Sequence, residues 1–143
     1  MKSKQLATSG DRAFVLVLDS GDEVLQSIKA FARDNRILAG RFTGLGAFSS
    51  VVLGFYDFET KDYHRIPIDE QVEVASFVDN IATTDEEVSI HPHMVVAKRD
   101  GSAFGGHVLE GRVHPTLEVL IEDAPAHLRR VRDKETGLPM LKV

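Results

Sequence analysis

The sequence contains no cysteine, no long hydrophobic run and no excess of positive charge. Without cysteine the chain has no disulfide framework and no thiolate nucleophile, and any zinc site must use other ligands. No apolar run approaches the roughly 20 residues of a membrane helix, and the first residues are not followed by the apolar core of a secretion signal. We therefore expect a cytoplasmic protein that does not associate with membranes.

The balance of charge argues against direct binding of nucleic acid. The formal net charge is −5, from 17 Lys and Arg residues against 22 Asp and Glu residues. Binding to phosphate backbones requires clustered cations that displace counterions. A locally basic stretch lies near the end of the chain, at Arg129, Arg130, Arg132 and Lys134. Because the chain as a whole is acidic, we expect no direct contact with nucleic acid.

The length of the chain indicates a single domain, residues 1–143, and hydrophobic periodicity predicts one helix among several short strands. Apolar residues recur at helical spacing from Val24 to Ala32, which predicts an amphipathic helix ending near Asn35. The preceding Ser20-Gly21-Asp22-Glu23 fits a capping box. Short β-rich runs before and after the helix predict a mainly antiparallel β-sheet on which it packs. We place the core at about residues 12–123 and a tail at residues 124–143.

Two glycines follow the strand predicted over residues 37–42, within Thr43-Gly44-Leu45-Gly46-Ala47. Glycine inside a strand pattern marks a bulge or a close approach of two backbones. The segment has neither the GxGxxG spacing nor the Lys-Ser/Thr pair of a phosphate loop. We interpret it as a structural interruption of the strand.

The chemistry of the chain is concentrated in residues 89–111, which read as one β-hairpin. His91 and His93 are two residues apart, so an extended strand directs both imidazoles to one face. His107 lies on the returning strand, and Asp100-Gly101 supplies the turn.

The register of this hairpin decides whether the three histidines meet. A three-residue loop, Arg99-Asp100-Gly101, pairs Lys98 with Ser102, His93 with His107 and His91 with Leu109, and opposed Cβ atoms are then roughly 5 Å apart. A two-residue Asp-Gly loop instead sets His107 against Met94, which faces away from His93. A bulge at Gly105-Gly106 would restore the contact in that case.

Three neutral imidazoles form the ligand set of catalytic zinc, which keeps a fourth position open for water or substrate. The hairpin thus predicts a site for zinc or another divalent transition metal at His91, His93 and His107, suited to activating water or polarising a carbonyl. The alternative is that the histidines are ordinary residues of an edge hairpin. Arg12, Arg41 and Arg112 could bind a small anionic substrate, although an isolated arginine more often forms a salt bridge.

Glu118 is the charged residue inside the apolar run Thr116–Ile121. One interpretation is an outward-facing strand residue. The other is a catalytic carboxylate near the histidines that acts as an acid or base. Both interpretations remain open on the sequence.

Several motifs together resemble the PPC family, the plants-and-prokaryotes conserved domain. They are the Gly21-Asp22-Glu23 helix start, the glycine-containing segment 43–47, His91-Pro92-His93, Gly105-Gly106-His107 and Thr116-Leu117-Glu118-Val119. The resemblance implies a compact α+β domain that assembles as a homotrimer. The same fold is similar to acetolactate decarboxylase, a zinc enzyme with an H-x-H pair and a later histidine, and that resemblance implies the same three ligands here.

The resemblance leaves two classes of function. One is a small metalloprotein with enzymatic potential, whose reaction the sequence does not identify. The other is a trimeric interaction or regulatory module without catalysis, associated with DNA through partners. The chain lacks the RGRP-type core of an AT-hook, the DNA-binding element found beside this domain in plants.

Overall fold

The computed structural model describes residues 1–7, 12–124 and 127–142. Within these residues it has one helix, α1, and ten strands of a single sheet. Helix α1 covers Val24–Asp34. The strands are β1 Lys2–Ala7, β2 Ala13–Asp19, β3 Gly40–Asp57, β4 Asp62–Ile68, β5 Val72–Thr84, β6 Glu87–Ile90, β7 His93–Ala97, β8 Ala103–Asp123, β9 Arg129–Arg132 and β10 Pro139–Lys142. The fold is mostly β with one short helix, which is compatible with the predicted α+β class. Among the described residues, no helix is long and apolar enough to cross a membrane.

The strands lie in the order β1-β2-β8-β3-β5-β9-β10, with β4 beside β3 and β6 beside β5. Strand β7 pairs with both β5 and β8. Because β8 and β5 also pair with β3, the pairings β3–β5–β7–β8 close on themselves. Between the described residues every pairing is antiparallel except that of Thr83 on β5 with Arg129 on β9. This closed set of strands carries two of the three histidines.

Helix α1 buries its predicted apolar face, including Val24, Ile28 and Phe31, against the core. Burying a side chain of this size contributes roughly 1.5–3 kcal/mol. The capping box was predicted with the wrong N-cap. The N-cap is Glu23, whose Oε2 accepts a hydrogen bond from the Gln26 amide at 2.8 Å. Gly21 has a φ of 92°, so the chain turns there and the helix starts later than a serine cap would require.

Strands β3 and β8 are longer than the sequence predicted. The glycine-containing segment 43–47 lies inside β3, with register shifts against both β5 and β8. Gly46, with a φ of 151°, lies so close to the Thr116 carbonyl of β8 that a Cβ would collide with it. The predicted close approach is therefore confirmed. The predicted interruption is wrong, because bulges absorb the irregularity without ending the strand.

The C-terminal residues form a hairpin, β9–β10, inside the segment 124–143 that the sequence predicted to be a tail. Its strands pair from Arg129–Lys142 to Arg132–Pro139. The Tyr56 hydroxyl donates a hydrogen bond to the Thr136 carbonyl at 2.5 Å, which fastens the turn of the hairpin to β3. These contacts place the hairpin next to the histidines.

Candidate metal centre

The histidine hairpin has the register of the three-residue loop. The Lys98 amide donates to the Ser102 carbonyl at 2.8 Å, and the Gly101 amide donates to the Lys98 carbonyl at 2.9 Å. Gly101 has a φ of 83°, as a left-handed loop residue requires. The pairing then runs without a shift from Ala97–Ala103 to His93–His107. The predicted opposition of His93 and His107 is confirmed, and no bulge at Gly105-Gly106 is needed for it.

His91 lies in the connection between β6 and β7, so the prediction that all three histidines belong to one hairpin, with His91 paired to Leu109, is wrong. Both strands pair with β5, β6 along residues 81–84 and β7 along residues 73–78. The connection therefore passes Asp79, whose Oδ1 accepts a hydrogen bond from the His91 amide at 2.5 Å. Pro92 is buried, whereas His91 and His93 are exposed on the other side, as their spacing predicts.

The three imidazoles converge. One ring nitrogen from each of His91, His93 and His107 lies within 4.8 Å of the other two. The Nε2 atoms of His91 and His93 are 3.2 Å apart. Two nitrogens bound to one tetrahedral zinc at about 2.05 Å are separated by roughly 3.3 Å, so this pair fits a shared ion.

His107 supplies a second indication of fit. Its Nδ1 is buried and has no hydrogen-bond partner among the described residues, although buried ring nitrogens are normally satisfied. Burial lowers the pKa of His107 to about 4, and the nearby His91 and His93 act in the same direction. Burial also lowers the pKa of His91. At neutral pH these two rings are therefore in the uncharged form that binds metal.

Tyr63 and Gly106 fix the position of His107. The ring of Tyr63 on β4 stacks on the His107 ring, with centroids 4.8 Å apart and planes inclined by 20°. A Cβ on Gly106 would come within 2.8 Å of the Gly54 carbonyl oxygen, so glycine lets β8 lie against β3 beside His107. The sequence singled out Gly106 but carried no sign of Tyr63, which acts from a strand about 40 residues away in the chain.

Asp79 is a further residue that the sequence did not identify. It is largely buried, and burial raises its pKa to about 7, although the His91 amide and Arg130 favour its charged form. Its Oδ2 has no hydrogen-bond partner among the residues that the structure describes. Asp79 therefore holds the His91 backbone while keeping one oxygen unused.

Glu118 does not join the histidines. It is exposed on β8, paired with Val17 on β2 and Leu45 on β3. Eleven residues separate it from His107 on the same strand, on the order of 35 Å of extended chain. Its surroundings favour the outward-facing strand residue over the catalytic acid or base, and the catalytic role stays a prediction.

The arginines considered for an anionic substrate are engaged elsewhere. Arg12 contacts Asp123 at 2.5 Å, Arg41 contacts Glu122, and Arg112 donates to the Gly21 carbonyl at 3.4 Å. The basic residues that do border the histidines come from the β3–β4 turn and from β9. They are Lys61, Arg130 and Arg132, which line a cavity shared with His91 and His107.

Comparison with known proteins identifies the family. The family model described as the Plants and Prokaryotes Conserved (PCC) domain matches residues 5–125. The chain belongs to this family. The abbreviation PPC is used for the same domain in a solved structure from Pyrococcus horikoshii, to which the chain is similar. The predicted family is therefore confirmed.

Three solved structures of similar proteins share the fold. The chain is 32% identical to a protein from Ralstonia eutropha, with a TM-score of 0.87 over 98% of this chain and 96% of that one. It is 26% identical to a protein from Bacteroides thetaiotaomicron, with a TM-score of 0.90 and the same coverage. Both are called putative DNA-binding proteins. A metal-containing protein from Archaeoglobus fulgidus is 30% identical, with a TM-score of 0.85 over 92% and 93% of the two chains.

Two further similarities are more limited. The chain is 27% identical over 139 residues to the bifunctional protein GlmU of Synechococcus sp. strain JA-3-3Ab, and it spans 21% of that protein's length. A Staphylococcus aureus protein similar to α-acetolactate decarboxylase matches with a TM-score of 0.59 at 13% identity, over 80% of this chain and 53% of that one. The second similarity concerns the fold alone.

The expectation that this chain makes no direct contact with nucleic acid is contradicted, because two similar proteins are called putative DNA-binding proteins. The expectation rested on a net charge of −5, which is a property of the whole chain. Phosphate contacts depend instead on local charge. Arg129 and Arg132 are exposed on β9, so local basic residues are available despite the overall acidity. The homotrimer implied by the family resemblance stays a prediction.

Proposed function

We propose that this chain is a metal-binding PCC-domain protein in which His91, His93 and His107 hold a divalent transition metal, with zinc as the first candidate. The observation that carries the proposal is the convergence of one nitrogen from each ring within 4.8 Å. The unsatisfied Nδ1 of His107 and the relative from Archaeoglobus fulgidus that is called metal-containing support it.

The surrounding residues perform the positioning that such a centre requires. Asp79 holds the His91 amide, and Tyr63 stacks on the His107 ring. Ligands oriented in this way lose less conformational entropy on binding an ion. A divalent ion held by His91, His93 and His107 would supply Lewis-acid chemistry, namely polarisation of a carbonyl or a lowered pKa of water.

Zinc binding by the untagged protein tests the proposal. After treatment with a chelator, the wild-type protein is expected to bind one zinc per chain in calorimetry or equilibrium dialysis. His93→Ala and His107→Ala are each expected to weaken binding at least 100-fold, because removing one of three ligands leaves an incomplete set. His64→Ala is the matched control, since His64 is an exposed histidine on β4 outside the cluster.

The pH dependence of zinc binding adds a second readout. Because the pKa values of His91 and His107 are lowered, protons compete with zinc at these rings only at lower pH than at free imidazole, whose pKa is about 6.5. Zinc is therefore expected to remain bound at pH 6. The proposal fails if the wild-type protein binds zinc no more tightly than the His93→Ala, His107→Ala double variant at pH 7.5.

A DNA-associated role is the second candidate, because two similar proteins are called putative DNA-binding proteins. The exposed Arg129 and Arg132 of β9 would supply its phosphate contacts. Fluorescence anisotropy with duplex DNA is expected to show binding that weakens with salt, and Arg129→Gln is expected to reduce the salt dependence by about one counterion. Anisotropy changes that are equal for wild type and Arg129→Gln and do not depend on salt would exclude the DNA-associated role.

A further inference from the structure

The histidine cluster opens onto a cavity of about 360 Å³ between the histidines and the β9–β10 hairpin. This volume is close to the lower end of the range for small-molecule sites and corresponds to about a dozen water molecules. His91 and His107 line one side of it, and Leu138, Pro139 and Met140 of the hairpin line another.

Basic side chains outnumber acidic ones around this cavity. Lys61, Arg130 and Arg132 line it, against one acidic residue, Asp62. Asp62 is engaged locally, because its Oδ1 accepts a hydrogen bond from the Tyr63 amide at 2.7 Å. The cavity therefore carries a net positive charge next to the candidate metal centre.

The three basic residues differ in what they can do. Arg130 donates hydrogen bonds from Nη1 to Ser89 and from Nη2 to Asn80, so it contributes charge but has few N–H groups left for a ligand. Lys61 and Arg132 are exposed, and neither forms an ion pair among the described residues. Arg132 is nevertheless held in place, since its Nη1 donates to the Gly137 carbonyl at 2.6 Å.

Lys61 has an unusual backbone conformation. Its φ is 56°, a left-handed value that is uncommon for residues other than glycine. It follows a turn in which Asp57 Oδ1 accepts hydrogen bonds from the amides of Glu59 and Thr60, both at 2.8 Å. The turn thereby holds Lys61 at the edge of the cavity.

The remaining wall is apolar. The rings of Tyr56 and Tyr63 and the side chains of Ile90 and Leu138 border the same space. Tyr63 also stacks on His107, so the aromatic wall is continuous with the cluster. A ligand that fills this cavity needs a negatively charged group at one end and a compact carbon body at the other.

We propose that this cavity binds a small organic carboxylate, with its carboxylate held by Lys61 and Arg132, its carbon body against Tyr56 and Tyr63, and its far end facing the histidines. The proposal rests on the proposed metal function for the role of the histidines, since it identifies the class of ligand that this centre would meet. The charge and the walls of the cavity come from other residues and do not depend on the metal.

Three probes separate the contributions of charge and carbon body. Benzoate has both, benzamide has the body without the charge, and inorganic phosphate has the charge without the body. Calorimetry or NMR titration of the zinc-treated protein is expected to rank benzoate first, with at least tenfold tighter binding than benzamide, because charge-assisted hydrogen bonds are stronger than neutral ones. Benzoate binding no tighter than benzamide, or weaker than phosphate, overturns the proposal.

Substitutions then locate the binding. Lys61→Gln and Arg132→Gln are each expected to weaken benzoate binding about tenfold. Lys134→Gln is the matched control, because Lys134 lies in the turn of the same hairpin and does not line the cavity. Zinc affinity is expected to be unchanged in all three variants. Benzoate binding that is the same in Lys61→Gln, Arg132→Gln and wild type overturns the proposal.

The two proposals fail in different ways. Zinc binding without benzoate binding removes the carboxylate site and leaves the metal function intact. Benzoate binding that depends on Lys61 and Arg132 in a protein that binds no zinc removes the metal function and leaves the cavity as a carboxylate site.

Discussion

Replacing Arg130 tests whether the C-terminal hairpin is an integral part of the fold. Arg130 is only 3% exposed. Its Nη1 donates to the Ser89 carbonyl at 2.9 Å, and its Nη2 donates to the Asn80 carbonyl at 2.7 Å and to the Asn80 side chain. The guanidinium thus joins β9 to both β5 and β6.

Arg130→Met removes these hydrogen bonds, so the acceptor oxygens of Ser89 and Asn80 lose their donor while they remain largely buried. Each acceptor left unsatisfied costs about 1–3 kcal/mol, and breaking a buried charged network typically costs about 3–5 kcal/mol in total. Because methionine recovers part of the packing, we expect the free energy of unfolding to fall by about 3 kcal/mol, the lower end of that range. This is a large share of the roughly 5–15 kcal/mol that stabilises a domain.

Arg129→Met is the matched control on the same strand. Arg129 is exposed, and its Nη2 lies 3.8 Å from Glu86 Oε1. Losing this weak surface ion pair is expected to change the free energy of unfolding by less than about 0.5 kcal/mol. Urea unfolding followed by circular dichroism, with chelator present to remove any contribution from bound metal, gives both values. A loss below 1 kcal/mol in Arg130→Met, or equal losses in the two variants, would refute the reasoning.

Two further predictions concern the neighbourhood of the histidines. Gly106→Ala is expected to destabilise the fold by about 2 kcal/mol or more and to abolish zinc binding, because its methyl group meets the Gly54 carbonyl oxygen at 2.8 Å. The methyl group of Gly105→Ala meets the Val95 side chain at 3.3 Å and the Met94 carbonyl oxygen at 3.5 Å, so a smaller effect is expected there. Urea unfolding and zinc titration of both variants check this, and equal effects would contradict it. Asp79→Asn is expected to gain stability relative to wild type as the pH rises. The pKa of Asp79 is raised from 3.8 to about 7 in the folded protein, so its favourable contribution is complete below pH 3.8 and is lost between pH 4 and 7. The lowered pKa of His107 makes its contribution to stability rise with pH, and this contribution is the same in wild type and variant. It therefore cancels in the difference between their unfolding free energies, measured at pH 5 and at pH 7.5. If that difference is the same at both pH values, the pKa of Asp79 is not raised.

The local features of the fold were predictable because their signals are local. The helical spacing from Val24 to Ala32 identified the buried face of α1, since that face depends only on periodicity. Asp100-Gly101 set the turn of the hairpin, and the loop of three residues placed His93 opposite His107. The turn residues and the alternation of side chains along the strands left two registers open, and the structure selected the three-residue loop.

Features that depend on distant contacts were not predictable in this way. Arg130 was read as part of a basic tail because charged residues are almost never fully buried unless they are paired, and its partners Asn80 and Ser89 are 50 and 41 residues away. Glu23 was read as the last residue of a capping box that begins at Ser20, although it is itself the N-cap. The hairpin β9–β10 had one local sign, the Gly137-Leu138-Pro139 turn between two β-compatible runs, and that sign was too weak to decide between strand and tail.

The sequence by itself determined the family, the amphipathic helix and the opposition of His93 and His107 once the loop has three residues, because these depend on residue type and spacing within short segments. Only the tertiary structure decided what surrounds the histidines. It brought Tyr63 against His107, Asp79 under His91, and Lys61 and Arg132 to the same cavity, while it left Glu118 on another part of the sheet. The physical reason is that the strand pairings which join these residues connect positions far apart in the chain. No local pattern records those pairings, and they form only when the whole sheet buries its core.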